Sequence, residues 1–284
     1  MPEIKTPLTT VRIAHRAGGA ALLLACLLFP GLLTAAEPAP LVLLVQPVLN
    51  EEQTRKAYQP LCDFIGKLAG RSCRVRTAPN FLAYWHLVQR NQDIDFVMDA
   101  AHFTDYRAQK MGYAVLAKIP DTVSYSLITP RGEAVFDPQE LLGQNIATLG
   151  PPSIGAARLS AMYPNPMRQP TIREVANAEE GFELLAKKRV QAAILPTPVV
   201  GQRLARKGDV YVVMTTEPIP HIALSASPRV DPALREKIRQ AVLAAPGSPD
   251  GRAMLKGIGF ERFDAASAET YQNQSRVLKQ YWGY

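Results

Sequence analysis

The stretch GPPSIGAAR, Gly150 to Arg158, sets a serine two residues before a glycine, after an apolar run and ahead of helically spaced residues. Serine at a helix start turns its hydroxyl onto the first free N–H groups. The same groups carry positive partial charge and hold anions. Ser153, with the amides of Ile154 and Gly155, therefore reads in two ways. It is an ordinary cap, or it is an oxyanion cradle in which Gly155 lets a ligand approach the backbone.

Other residues able to contact a ligand lie at element ends. Tyr84 and Trp85 share a helix after TAPNF, where one can cover a ligand or both can be core. Asp99 ends a strand, the edge at which open α/β sheets receive ligands. It fits equally as the cap of the helix that begins near His102. His102 can donate to an anion or sit half-buried at its helix start, and Phe103 can wall a cleft. Ser124 and Ser126 share one strand face and Tyr125 takes the other. Asn177 and Thr197 each begin a helix, where capping and ligand contact compete.

None of these residues forms an enzyme constellation. There is no GxSxG elbow, phosphate loop or GxGxxG. Asp99 and His102 have no nucleophile or metal-ligand set beside them. The expectation is no catalysis, no cofactor and no metal.

The elements that carry these residues alternate. LVLLVQ, Leu41 to Gln46, is a continuous apolar run, as in a strand covered on both faces. Gln53 to Leu68 has a helical stripe, CRVRT alternates as a strand, and Phe81 to Gln89 is helical. Strand Ile94 to Asp99, helix His102 to Met111 and strand YAVLAKI follow. Ser124 to Pro130 is extended. A second series then runs from a short helix over Asp137 to Leu142 to a strand over Val210 to Thr215. The tail holds one strand, His221 to Ser227, then helices at Asp231 to Ala244, Asp250 to Lys256 and Ser267 to Tyr281. Such alternation means α/β with largely parallel sheets. The tail is too small for a third domain and returns to the first unit. Two lobes result, each with its own core: residues 37–129 with 218–284, and residues 130–217. The crossings fall near Thr129–Gly132 and Glu217–Pro220, a hinge with a cleft.

The N-terminus has a different character. Lys5, Arg12, His15 and Arg16 precede an apolar run from Ala20 to Leu33, followed by TAAEPAP. That is a secretory signal with cleavage near Ala36; the run falls short of the roughly 20 residues of a membrane span. An uncleaved anchor, or a lipid on Cys26, are the alternatives. Cleavage removes three Lys/Arg and one Glu, so the net charge goes from +7 to +5. No basic block suits nucleic acid. Cys62 on a helix and Cys73 opening the next strand remain. A disulfide fits an oxidising compartment; two separate buried thiols are the other arrangement.

Several phrases, in order, resemble the phosphate/phosphite/phosphonate-binding branch of ABC-transporter periplasmic binding proteins. They are RKAYQPLCDFIGKLAG after the break at Pro47, IDFVMDAAHF, SYSLIT, IATLGPPSIGAARL and ANAEEGFELLAKKRVQAAILPT. The resemblance covers about residues 40–260. It implies a type II periplasmic-binding fold that closes on a small oxyanion, acts as a monomer and delivers its ligand to a membrane permease. It also implies that Ser153, Ile154 and Gly155 receive the oxyanion, with Phe103 as the cleft aromatic. The chain departs from the family at three places. Pro196 stands where amino-phosphonate binders carry a carboxylate, Asn177 or Ala178 where a histidine is usual, and PPSIGA keeps one hydroxyl of a richer cradle. These departures favour a ligand that is smaller, less charged or different in kind. They also support an alternative in which a membrane kinase or diguanylate cyclase reads the occupied protein and nothing is transported. A secreted hydrolase is the third possibility.

Overall fold

The computed structural model describes residues 39–133, 135–281 and 284. The signal segment, with Cys26 and the cleavage point at Ala36, lies outside the described residues. Among these residues no helix is long and apolar enough to cross a membrane.

The first half alternates as its apolar pattern requires. Strand β1 (Leu41–Val45) is buried along its whole length. Helix α1 (Glu51–Ala69) starts two residues before its stripe, because Asn50 accepts from the Gln53 amide as N-cap. Gly70 ends it in the left-handed conformation that glycine adopts at no steric cost. Then come β2 (Cys73–Arg76), α2 (Phe81–Arg90), β3 (Phe96–Asp99), α3 (Ala101–Met111), β4 (Ala114–Lys118) and the two-residue β5 (Thr122–Val123).

The second series is β6 (Tyr125–Pro130), β7 (Asn145–Thr148), α4 (Ile154–Met162), β8 (Thr171–Glu174), α5 (Ala178–Ala186), β9 (Ala192–Pro196), α6 (Thr197–Arg206) and β10 (Val210–Thr215). The short β11 (Ile219–Pro220) and β12 (Ala223–Ala226) lead to α7 (Pro232–Leu243) and α8 (Pro249–Ile258).

Two five-stranded sheets result, ordered β2-β1-β3-β12-β4 and β10-β6-β9-β7-β8. In the first, β12 runs antiparallel between β3 and β4. In the second, β6 is antiparallel to both β9 and β10. Between the sheets in sequence, β5 pairs antiparallel with β11. Tyr125–Pro130 thus lies in the second sheet, and the outgoing passage comes earlier in the chain than Thr129–Gly132. The alternation of SYSLITP fixes a strand but not which sheet takes it.

Two other expectations change. The segment Asp137 to Leu142 is a single 3-10 turn, Pro138–Leu141, closed by a capping box between Asp137 and Glu140. The expected helix Ser267 to Tyr281 is two 3-10 turns, Ala268–Tyr271 and Gln274–Leu278. Asn273 sits between them at φ 70°, which no α-helix contains. They pack on α3, where the Ser275 amide donates to the buried Asp105 carboxylate at 2.7 Å.

The cores are also less separate than the alternation suggests. One cluster belongs to the first sheet and α1, α7 and α8. The other two draw on both sheets: Leu44, Val97 and Phe103 join Ile128, Ala147 and Leu195, while Ala101, Ala223 and Tyr271 join Tyr125, Ile146 and Ile154. Helix starts α2 and α3 bring apolar side chains to the second sheet, so burial continues across the seam.

Cys62 and Cys73 form a disulfide with Cα atoms 5.4 Å apart, tying α1 to β2 across 11 residues of sequence. By loop-closure entropy, a bridge of this span contributes about 3 kcal/mol. Replacing both cysteines by alanine is expected to lower the melting temperature by about 6–12 °C, given 2–4 °C per kcal/mol at this size. An unchanged melting temperature would show that the bridge carries no stability.

Candidate functional site

The seam is built from helix starts. On the first sheet, β3 delivers Asp99 and the chain turns into α3 through Ala100. The Ala100 amide is held by the buried Gln46 side chain at 3.0 Å. Ala100 is the N-cap position and no side chain caps α3. Asp99 therefore does not take the capping role open to it in the sequence. Its carboxylate turns inward to the Tyr84 hydroxyl and to Arg107 Nε, the latter at 2.6 Å. Arg107, Asp99 and Tyr84 are all fully buried. Asn91 extends the network, accepting from Arg107 Nη1 at 3.3 Å and from the Tyr113 hydroxyl at 2.5 Å. Burial pushes the Asp99 carboxyl up, against the lowering by Arg107 and Tyr84. Burial, followed by the Asp99 charge, drives the Tyr84 hydroxyl well above its ordinary value.

Phe103 is fully buried as well. It stacks with Phe81 and Trp85 at 6.3 and 6.1 Å and meets Tyr84 edge-on at 5.3 Å. Tyr84, Trp85 and Phe103 thus form an aromatic core beneath the helix starts.

His102 faces the other way. Its Nε2 lies 3.0 Å from the Pro152 carbonyl, in the turn that leads into α4 on the second sheet. A carbonyl brings no hydrogen, so Nε2 carries it and Nδ1 is bare. Nδ1 is buried and has no partner. Burial, opposed by the Pro152 bond, pulls the His102 pKa down to about 3.

The α4 turn has a left-handed Gly150 (φ 72°) and a cis Pro151–Pro152 peptide. Ser153 is the N-cap, its Oγ accepting from the Ala156 amide at 3.2 Å. The first intrahelical bond is Ala157 N to Ser153 O, which leaves Ile154 and Gly155 at the head of the helix. A methyl on Gly155 would stand 3.3–3.5 Å from the Ile194 carbonyl, the Tyr125 ring and Thr148 Oγ1. Thr148 Oγ1 is itself buried and unpartnered.

At α5, Asn177 accepts from the Glu180 amide at 3.1 Å and caps its own helix. The first amide of α5, on Ala178, donates to Val48 O of the first half at 2.9 Å. At α6, Thr197 gathers the serines of β6: its Oγ1 lies 3.2 Å from Ser124 Oγ and 2.9 Å from Ser126 Oγ. Tyr125, on the opposite face of β6, is buried, which raises its hydroxyl pKa.

The structure therefore groups Ser124, Ser126 and Thr197, and sets His102 against the Ser153 turn. It places Tyr84, Asp99 and Phe103 in the interior. Sequence reasoning missed Arg107, Val48 and the Pro152 carbonyl. Backbone acceptors leave no sequence signal. Arg107 lies four residues after Phe103, the helical spacing of one face, which was the available clue.

Residues 43–271 match the family described as ABC transporter, phosphonate, periplasmic substrate-binding protein. No curated protein matches. Among solved structures, PhnD1 from Prochlorococcus marinus in complex with methylphosphonate has a TM-score of 0.72 at 12% identity, over 84% of this chain and 96% of that one. A phosphonate-transporter binding protein from Pseudomonas aeruginosa has a TM-score of 0.70 at 12% identity, over 84% and 85%. A Xanthomonas citri protein bound to ATP has a TM-score of 0.65 at 14% identity, over 84% and 96%. At these identities the structures establish a shared type II periplasmic-binding fold. The match over most of the chain establishes more: the protein belongs to the periplasmic phosphonate-binding family of ABC-transporter substrate-binding proteins.

Proposed function

We propose that this protein captures a small phosphonate-, phosphate- or phosphite-like oxyanion between its two sheets and presents the closed form to a membrane permease. In this reading β1–β4 with β12 make one lobe, β6–β10 the other, and the β5–β11 pair is the hinge. The protein acts as an exported monomer after loss of its signal segment. The observation that carries the reading is the meeting of helix starts. The heads of α3 and α4, from opposite sheets, approach to the length of the His102–Pro152 hydrogen bond. Helix N-termini concentrate positive partial charge, and two of them facing one seam favour an anion. The Ser124–Ser126–Thr197 hydroxyls add neutral donors. Pro196 at the end of β9 supplies no carboxylate for a ligand amine, so the ligand expected is a plain oxyanion.

The test is a thermal-shift screen of residues 37–284 with methylphosphonate, phosphate, phosphite, sulfate and ATP. ATP is included because one structural neighbour holds it. A ligand at 100 times its Kd adds about 2.7 kcal/mol, a shift of several degrees. Ser153→Ala and Thr197→Val are each expected to weaken binding about tenfold, the worth of one hydrogen bond to a charged group. No shift with any oxyanion, or unchanged affinity in both variants, would remove the reading. In that case the sensor alternative, with an unrelated ligand, takes its place.

A further inference from the structure

We propose that His102 is a proton-released latch: neutral, it holds the two halves together through Pro152, and a proton on its ring opens the seam. The inference rests on the reading that the halves separate, but its test needs no ligand.

The geometry favours the neutral ring in the closed arrangement. His102 is fully buried and spends its single ring hydrogen on the Pro152 carbonyl. The other nitrogen has no partner. A proton added there would be a buried charge whose N–H finds no acceptor, and both are costly. Among the described residues the carboxylates beside the ring are already engaged, and the Glu174 carboxylate of β8 lies against Gly150 of the turn. On α3, Asp105 is engaged by Ser275 and Gln109, and Asp99 and Arg107 hold each other. On α4, Arg158 reaches the Glu217 carbonyl. Of the tyrosines in the adjoining core, Tyr271 donates to His221 O, and Tyr125 stays neutral. The ring packs on Phe103 at 3.9 Å, and burial outweighs the Pro152 bond in disfavouring its charge.

When the seam opens, the ring meets water and titrates near 6.5, the ordinary histidine value. Acid then favours the open form by mass action. Each pH unit below about 6.5 shifts the open-to-closed ratio about tenfold, until the closed ring itself titrates.

The readout is amide exchange at Ala178, whose bond to Val48 O crosses the same seam without involving His102. Ligand-free protein is followed from pH 7.5 to 4.5, with rates corrected for intrinsic exchange. Protection at Ala178 is expected to fall about tenfold per unit below pH 6.5. Leu43, paired on both sides within the first sheet, is exposed only by unfolding; it should remain far better protected than Ala178 at every pH and so separates opening from unfolding. His102→Gln keeps an N–H for Pro152 and does not titrate, so its Ala178 protection should be flat across the range. Constant protection in the parent protein, or an equal fall in His102→Gln, overturns the latch. A protein that binds no oxyanion yet shows the His102-dependent fall would keep the latch and lose only the transport reading.

Discussion

Replacing Arg107 by methionine is expected to cost about 3–5 kcal/mol, because it leaves the Asp99 carboxylate buried and unpaired. The pair has no exposed surface on either side. Arg107 also lies over the Tyr113 ring at 5.0 Å and ties Asn91 to the same network. The expected loss belongs to the uncompensated charge rather than to the net worth of the ion pair. Combining Arg107→Met with Asp99→Asn should therefore recover a large part of it, since the second change removes the stranded charge. Urea unfolding of the parent, the two single variants and the double variant forms a complete cycle. A single-variant loss under 1 kcal/mol, or a double variant no better than Arg107→Met, would place the stability of this region in packing alone.

Acid is expected to unfold the protein through two histidines. His102 is pulled down to about 3 by burial. His221, just after β11, is pulled down to about 4 by burial and then by Lys118, with Asp121 opposing. Its Nδ1 accepts from the Ile222 amide at 2.8 Å, so protonation there also breaks a backbone bond. Both folded values lie below the ordinary 6.5, so the unfolded chain takes up protons first as the pH drops. This stability is complete above pH 6.5 and is lost as the pH falls toward 4 and 3. At 1.36 kcal/mol per unit, His102 can cost up to about 5 kcal/mol and His221 about 3. Urea unfolding at pH 7.5, 5.5 and 4.5 should show a shallower decline in His102→Gln and in His221→Asn. Equal slopes in all three proteins would move the acid sensitivity to the carboxylates.

Much of this fold was legible because its strands and helices alternate cleanly. The apolar run at β1, the stripe of α1, and the Ser153 and Asn177 caps each announce their element locally. The tail's isolated strand, β12, pairs with β3 and β4 in the first sheet. What could not be read is non-local. Nothing in SYSLITP tells which sheet claims β6. The tail from Ser267 has helical composition, but Asn273 in the left-handed region and the docking onto α3 break it into two turns. At the site, Ser153 stands at the head of α4 as its residue type requires, and the two β6 serines share a face by strand alternation. The partners of Asp99 and His102 were invisible for different reasons. Arg107 reads as one more helical arginine until the fold buries it, and Pro152 acts through its carbonyl, which every residue possesses.

The position of β12 carries a consequence for biosynthesis. It lies between β3 and β4 in the first sheet, and it comes in the sequence after every described strand of the second sheet. A chain leaving the ribosome N-terminus first, or threading through a membrane pore in that direction, holds β4 without its neighbour until residue 226 is available. The first half cannot mature as a separate unit ahead of the second. Its unfinished edge is exposed throughout that interval, and whatever escorts the nascent chain has that edge to shield.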